Sequence, residues 1–223
     1  MQKERFDRIL CRISELYDLE HTQAKEFLER LTYPWEALGE IGDLIRKLGP
    51  MLEDYRQVQP DIWVHPTAKV ADSALLTGPC IIGPDTEVRH CAFIRGNVLV
   101  GSGCVVGNST ELKNAILFDG VQVPHYNYVG DSILGYKAHL GAGAVCSNVR
   151  GDKGLVSVDG IATGRKKVGA MVGDLAEVGC HAVLNPGTVI GRNARVYPTA
   201  CVRGIVPAEH IYKTDGTVTE IKR

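Results

Sequence analysis

Between Gly107 and Asn148 the chain reads GNSTELKNAILFDGVQVPHYNYVGDSILGYKAHLGAGAVCSN, and Glu111, Lys113, His125, Tyr128 and Asn148 gather there. These residue types suit proton transfer on an anionic substrate. Imidazole titrates near neutrality and can act as a general base. Lysine offers a charged anchor for phosphate, and a carboxamide can orient a polar group. On residue type alone a hydrogen-bonded structural histidine is the commoner outcome, so the placement of His125 decides its role. Nucleophilic catalysis has little support, because the chain lacks a GxSxG elbow and a reactive-cysteine signature. A P-loop is absent as well.

The elements that must hold these groups follow from a period of six. Val64, Val70, Leu76, Ile82, Val88, Ile94, Val100, Val106, Leu112 and Phe118 share one register. The rhythm stumbles within the polar stretch and resumes at Leu134, Leu140 and Cys146. After a second break it runs through Val172, Val178, Leu184, Ile190, Val196 and Val202. One aliphatic per six residues, with Gly or a small polar residue at the corner, predicts a parallel β-helix. Each unit is a short strand plus a turn, and every sixth side chain points into a narrow interior.

Bulk properties agree. The chain has 223 residues, 44% hydrophobic and 23% charged, with 25 glycines and 6% aromatics. Few aromatics and many glycines suit a tightly turning repeat. A net charge of -1 gives no electrostatic case for nucleic acid or an anionic membrane. No apolar run approaches the roughly 20 residues that cross a bilayer. Seven scattered cysteines without metal-ligand spacing point to reduced thiols in a cytoplasmic protein, most of them small core residues.

Three segments flank or interrupt the repeat. Residues 1–57 read as helical, beginning with an amphipathic face of Phe6, Ile9, Leu10, Ile13, Leu16 and Tyr17. A second helix is expected over Thr22 to Leu31, and a third opens at Pro34 and ends at Gly49-Pro50. The coil is expected over 58–207, with a tail over 208–223 that caps its open end. Residues 149–169, dominated by Gly and charge in RGDKGLVSVDGIATGRKKVG, read as a loop or hairpin leaving the coil. Its cluster Arg165, Lys166, Lys167 is either a solvated turn or an anchor for phosphates.

The six-residue pattern resembles the hexapeptide-repeat family, which implies triangular, left-handed coils and homotrimers with active sites between neighbouring coils. The segments GNSTELKNAIL, VPHYNYVGDSILG and LGAGAVCSN resemble the acetyltransferase half of the bifunctional enzymes that make UDP-N-acetylglucosamine, and their archaeal-type sugar-1-phosphate nucleotidylyltransferase relatives. GRKKVGAMVGDLAEVGCHAVLNPGTVIG fits the latter group, and YPWEALGEI resembles the helix that leads into its coil. Nothing before Ile62 resembles the family's nucleotidyltransferase domain.

The resemblance implies an acetyl-CoA-dependent N-acetyltransferase acting on an amino-sugar 1-phosphate, with no metal required. His125 matches the general base, and Glu111 an acidic residue beside the amine. Arg95 and Lys113 match the phosphate-holding cations, and Tyr128 a phosphate or sugar contact. Asn148 matches a carboxamide near the acetyl group, and Ala142 a backbone contact to the pantetheine arm. His139 stands where the bacterial enzymes have an asparagine that contacts the sugar, and Cys180 where they have a serine near acetyl-CoA. Lys166 and Lys167 are grouped with the cofactor contacts. Glucosamine- and galactosamine-1-phosphate both remain open as substrates.

Two other readings remain. Zinc carbonic anhydrase activity also occurs on such coils, but it needs three convergent histidines. A non-catalytic subunit or scaffold is the third possibility.

Overall fold

A chain whose inward side chain recurs every six residues must turn a corner every six residues, and three corners return it to its starting direction. The computed structural model describes residues 10–222 and shows that path. Short parallel strands stack into three faces. The first face climbs in eight rungs from Ile62–Val64 through Cys80–Ile82, Val98–Val100, Ala115–Leu117, Ser132–Leu134, Ala170–Val172 and Thr188–Ile190 to Ile205–Val206. The second climbs from Lys69–Val70 to His210–Tyr212. The third climbs from Leu75–Leu76 through Phe93–Ile94, the start of Glu111–Leu117, the start of Tyr128–Leu134 and Val145–Cys146 to Cys201–Val202. The protein is a parallel β-solenoid.

The interior is filled as the period requires. Ile82, Val88 and Ile94 form one buried layer, Val100, Val106 and Leu112 the next, and Leu134, Leu140 and Cys146 a later one. Burial pushes the thiols of Cys80, Cys104 and Cys146 up to about 12, as expected of small core residues rather than reactive ones.

The stumble is a pair of shortened steps. Val100 pairs with Leu117, and Leu117 with Leu134, so Leu117 occupies the register expected for Phe118. From Leu112 to Leu117, and again from Val129 to Leu134, the chain uses five residues instead of six. It does so by running two seven-residue strands, Glu111–Leu117 and Tyr128–Leu134, continuously from the third face to the first. Asn114 and Asp131 take left-handed backbone conformations at the bend, at φ +50° and +48°. Phe118 is buried all the same, with its ring 5.1 Å from that of Tyr17.

The first face differs from the others in sequence and in cover. Its outward column, Ile81, Leu99, Ile116, Ile133, Met171 and Val189, is apolar and fully buried. Strands buried on both sides read as continuous apolar runs, whereas the second and third faces alternate. The N-terminal segment supplies the cover. It is broken into the helices Ile13–Leu16, Lys25–Leu28 and Ile41–Leu48, the 3-10 turns Leu19–His21, Pro34–Gly39 and Gly49–Met51, and their links. The expected first helix is interrupted at Cys11 and Arg12 before Ile13–Leu16, and the part carrying Phe6 and Ile9 lies outside the described residues. The second covers only Lys25–Leu28 of the expected Thr22 to Leu31. The third is divided at Glu40, with Pro34 opening a 3-10 turn and Gly39 weakening continuation.

Ile41–Leu48 lies against Val98–Val100. The segment is also bonded to the coil: the Tyr17 hydroxyl donates to the Ile133 carbonyl at 3.3 Å, and the Asp18 amide donates to the Asp174 carboxylate at 2.7 Å. Arg192 pairs with that carboxylate at 3.2 Å. Burial raises the Asp174 pKa, against the pull of these donors.

The 149–169 segment contains a two-stranded hairpin, Ser157–Val158 with Ile161–Ala162. Val156, Val158 and Val168 are buried, so the hairpin is anchored to the coil. The tail does not leave at 208: His210–Tyr212 continues the second face, and only Val218–Glu220 folds back on it.

Leu99 faces the helical cover. Leu99→Ala is expected to lower the unfolding free energy by about 2–5 kcal/mol, the usual loss for a fully buried leucine. Urea titration followed by circular dichroism measures it.

Candidate active site

The third face carries two outward columns. One holds Phe93, Glu111, Tyr128 and Val145, in register from rung to rung. The other, two residues further along each rung, holds Arg95, Lys113, Gly130 and Ser147. Successive rungs of a parallel sheet are about 4.8 Å apart, so the backbones that carry Arg95 and Lys113 lie one such step apart. Arg95 donates to the Glu111 carboxylate at 2.6 Å, which raises the guanidinium pKa, and its guanidinium lies 5.8 Å from the Phe93 ring centre. Lys113 Nζ lies 3.5 Å from Asp131 Oδ2.

Tyr128 lies across this face. Its hydroxyl accepts from Asn148 Nδ2 at 3.2 Å, and the same amide donates to Asp131 Oδ2. Burial raises the Tyr128 pKa, while the Asn148 hydrogen bond acts in the other direction. Gly130 makes room for the phenol, because a Cβ there would stand 2.5 Å from its oxygen. Arg95, Glu111, Lys113, Tyr128 and Asn148 are therefore brought onto one surface.

His125 stands at the edge where the second face turns into the third. It ends the strand Gln122–His125, and Tyr128 opens the next face three residues later. The residue is exposed, and its imidazole makes no hydrogen bond or ion pair among the described residues. Its backbone is held firmly. The His125 amide donates to Asn127 Oδ1 at 3.1 Å, and Asn127 is buried, donating to the Gly141 and Ala144 carbonyls at 2.8 and 3.2 Å. Gly143 N–H donates to the His125 carbonyl. One rung below, Gly107 passes so close that a Cβ would fall 1.5 Å from the Pro124 carbonyl oxygen.

Ala142 and Cys180 lie on the same edge as His125, as the ladder from His181 N–H to Ala142 O and from Thr199 N–H to Cys180 O shows. His139 does not join the third face within one chain. It sits on the second, between Gln122 and Glu177, with Nδ1 2.7 Å from Glu177 Oε2. Lys166 and Lys167 are exposed on the inserted segment. That segment leaves the coil at the opposite border of the third face from Ala142 and Cys180. A cleft of about 370 Å³ lies beneath it, lined by Ser147, Arg150, Asp152, Ser157, Asn185 and Arg203.

Three polar residues went unmarked in the sequence. Asn127 takes an inward position that neighbouring rungs fill with Ala92, Thr110 and Ala144, and that break in a small-residue column was a readable signal. Asn114 and Asp131 gave no comparable one. The histidines His65, His90, His125, His139 and His181 are spread along the coil. Among the described residues no three His, Cys, Asp or Glu side chains converge as a metal site. No described helix is long and apolar enough to cross a membrane.

Comparison with known proteins places these features among relatives. Residues 76–163 match the family model described as the GMPPB C-terminal domain. The chain is 35% identical over 103 residues to a bifunctional sugar-1-phosphate nucleotidylyltransferase/acetyltransferase of Sulfurisphaera tokodaii, covering 44% of this chain and 26% of that protein. It is 32% identical over 113 residues to the bifunctional protein GlmU of Methanococcus maripaludis, covering 49% and 28%. The chain thus spans about a quarter of the length of these curated relatives. Among solved structures, a UDP-N-acetylglucosamine acyltransferase of Francisella novicida aligns at TM-score 0.42 and 16% identity, over 72% of this chain and 68% of that one. The acetyltransferase domain of PglB from Neisseria gonorrhoeae, in complex with acetyl coenzyme A, aligns at 0.29 and 14%, over 72% and 57%. Over its coil, the chain resembles the acetyltransferase part of the sugar-1-phosphate nucleotidylyltransferase/acetyltransferase proteins, as its motifs implied.

Proposed function

We propose that the chain is an acetyl-CoA-dependent N-acetyltransferase whose acceptor is an amino-sugar 1-phosphate, glucosamine- or galactosamine-1-phosphate, in nucleotide-sugar biosynthesis. The observation that carries this reading is the charge pattern of the third face. Two cations on adjacent rungs each stand beside a carboxylate, Arg95 by the partly exposed Glu111 and Lys113 by the buried Asp131. An amino-sugar phosphate is the complementary zwitterion. Its phosphate would take charge-assisted bonds from Arg95 and Lys113, and its ammonium would replace Arg95 at Glu111.

The amine must lose a proton to attack a thioester, and the exposed imidazole of His125 stands at the edge of this face to accept it. Tyr128 and Asn148 then border the acceptor, with the Asn148 carboxamide toward the acetyl group. Transfer is direct, with no acyl-enzyme. Ala142 and Cys180, on the edge shared with His125, are the contacts we assign to the acetyl-CoA arm, and Lys166 and Lys167 are offered to its phosphates.

Trimeric assembly would complete the site. His139, with Glu177, faces outward on the second face, and the third face exposes Leu75 with the partly exposed Phe93, Val145 and Val183. A neighbouring copy that covered this apolar column with its second face would bring His139 to the sugar. The reduced thiols and the small-molecule substrates suit a cytoplasmic enzyme.

Thiol release from acetyl-CoA across a panel of hexosamine 1-phosphates tests the activity, and no release with any of them would leave the scaffold reading. His125→Ala is expected to keep the fold and lower turnover by roughly 10²–10⁴, the worth of a general base; undiminished turnover would remove that role. Lys113→Ala should chiefly raise KM for the sugar phosphate. Light scattering on purified protein should give three chains per particle, and a monodisperse monomer would refute the trimer.

A further inference from the structure

Asp131 lies at the bend of the strand Tyr128–Leu134 and is 5% exposed. A buried carboxylate is costly unless it is paired and hydrogen-bonded. Asp131 is both. Asn114 Nδ2 donates to Oδ1 at 2.9 Å, Asn148 Nδ2 donates to Oδ2, and Lys113 Nζ stands 3.5 Å from Oδ2. The Asn114 amide also donates to the Leu38 carbonyl at 3.0 Å, in the 3-10 turn of the helical cover. A continuous polar chain thus runs from Leu38 through Asn114 and Asp131 to Asn148 and the Tyr128 hydroxyl.

Asn114 and Asp131 both adopt left-handed backbone conformations, one rung apart. Each such residue carries a modest strain unless its surroundings hold it. The hydrogen bonds supply that hold, and the shortened five-residue step places both side chains at the border of the third face. Lys113 is a long, partly exposed side chain, and Asn148 is a buried carboxamide whose two side-chain partners are Tyr128 and Asp131. Without a buried anchor each would sample several rotamers.

We propose that Asp131 is the positioning residue of this site. It sets Lys113 for the acceptor phosphate and Asn148 for the acetyl group, and through Asn114 it ties both to the N-terminal cover. The inference rests on the acetyltransferase reading for what is positioned, but the hub itself can be tested without turnover.

Asp131→Asn keeps the shape, removes the charge and turns one acceptor oxygen into a donor that faces other donors. With the hexosamine 1-phosphate that the wild-type chain acetylates, this variant is expected to raise KM and to lower kcat by up to about 10²-fold, the scale of a misplaced site group. Lys113→Ala added to it should raise KM no further, and Asn148→Ala added to it should lower kcat no further, because both act through the lost carboxylate. Multiplying effects, or an unchanged Asp131→Asn, would overturn the proposal. Should that variant fail to fold, Asn114→Ala cuts the link to Leu38 and should show the same non-additivity with Lys113→Ala; additive effects there would equally overturn it. Independently of activity, the side-chain amide NMR signals of both Asn114 and Asn148 should shift in Asp131→Asn. If they shift and the wild-type chain still acetylates nothing in the panel, the functional reading fails and the hub stands; if neither shifts, the hub fails.

Discussion

The interior of the coil admits one aliphatic side chain per face per turn, and that spatial limit governs the rest of the molecule. Layers such as Ile82, Val88 and Ile94 take one large aliphatic from each face and leave only a second, smaller inward place, filled by residues such as Thr86, Ala92, Cys104 and Ala144, so the chain turns after every sixth. Beyond small inward residues such as Thr86, Thr110 and Asn127, which are satisfied by nearby backbone carbonyls, polar side chains have the corners and the outer surfaces to occupy. A corner shortened by one residue draws the strand straight across it and moves a polar side chain from solvent to the border of two faces. At Asn114 and Asp131 this happens twice in succession, and the buried carboxylate that results is satisfied because the two bends are stacked. The irregularity that weakens the repeat is also what organises the polar cluster.

The same limit explains why the N-terminal segment sits where it does. A face whose outward column is Ile81, Leu99, Ile116 and Ile133 cannot remain in water, since each buried aliphatic of this size gains about 1.5–3 kcal/mol. The helices need little intrinsic stability of their own: four-residue pieces such as Ile13–Leu16 and Lys25–Leu28 would not persist in isolation, and their order comes from the surface they cover. Covering the first face leaves the second and third for other work. The Tyr17 and Asp18 bonds to Ile133 and Asp174 fix the cover on rungs close to the site.

Much of this architecture was readable beforehand, because a period of six in aliphatic residues has few physical explanations. The aliphatic register, the break at 149–169 and the grouping of Glu111, Lys113, Tyr128 and Asn148 all depend on position along the chain, whereas Arg95 joined them only through the family resemblance. The displacement of Phe118 by Leu117 did not show, since two adjacent apolar residues fit either phase and only the cross-strand pairing with Val100 and Leu134 separates them. His139 could not be placed from its neighbours in sequence: its partner Glu177 is 38 residues away, beyond an insertion whose length sets the pairing. Asp131 was illegible for a similar reason. An aspartate after Gly in a turn-rich chain reads as solvated, and its burial depends on Leu38, Asn114 and Asn148, which belong to three separate segments.

His125 joins an exposed side chain to a fixed backbone, the combination the proposed reaction would need. Its imidazole is exposed, while its backbone is pinned by Asn127 and the preceding Pro124 packs over Gly107. In the proposed role as proton acceptor, His125 would meet a substrate that arrives from solvent, and an accessible ring suits that. The same role would need its Cα held at a fixed point relative to Arg95 and Lys113, because effective catalysis depends on geometry at a sub-ångström scale. Stacked rungs supply such spacing without a packed aromatic core: Arg95 belongs to one turn, Glu111 and Lys113 share the next, His125 belongs to the one after, and a ladder of about 4.8 Å separates them. Helices or loops could carry the same residues, but neither supplies so regular a ruler.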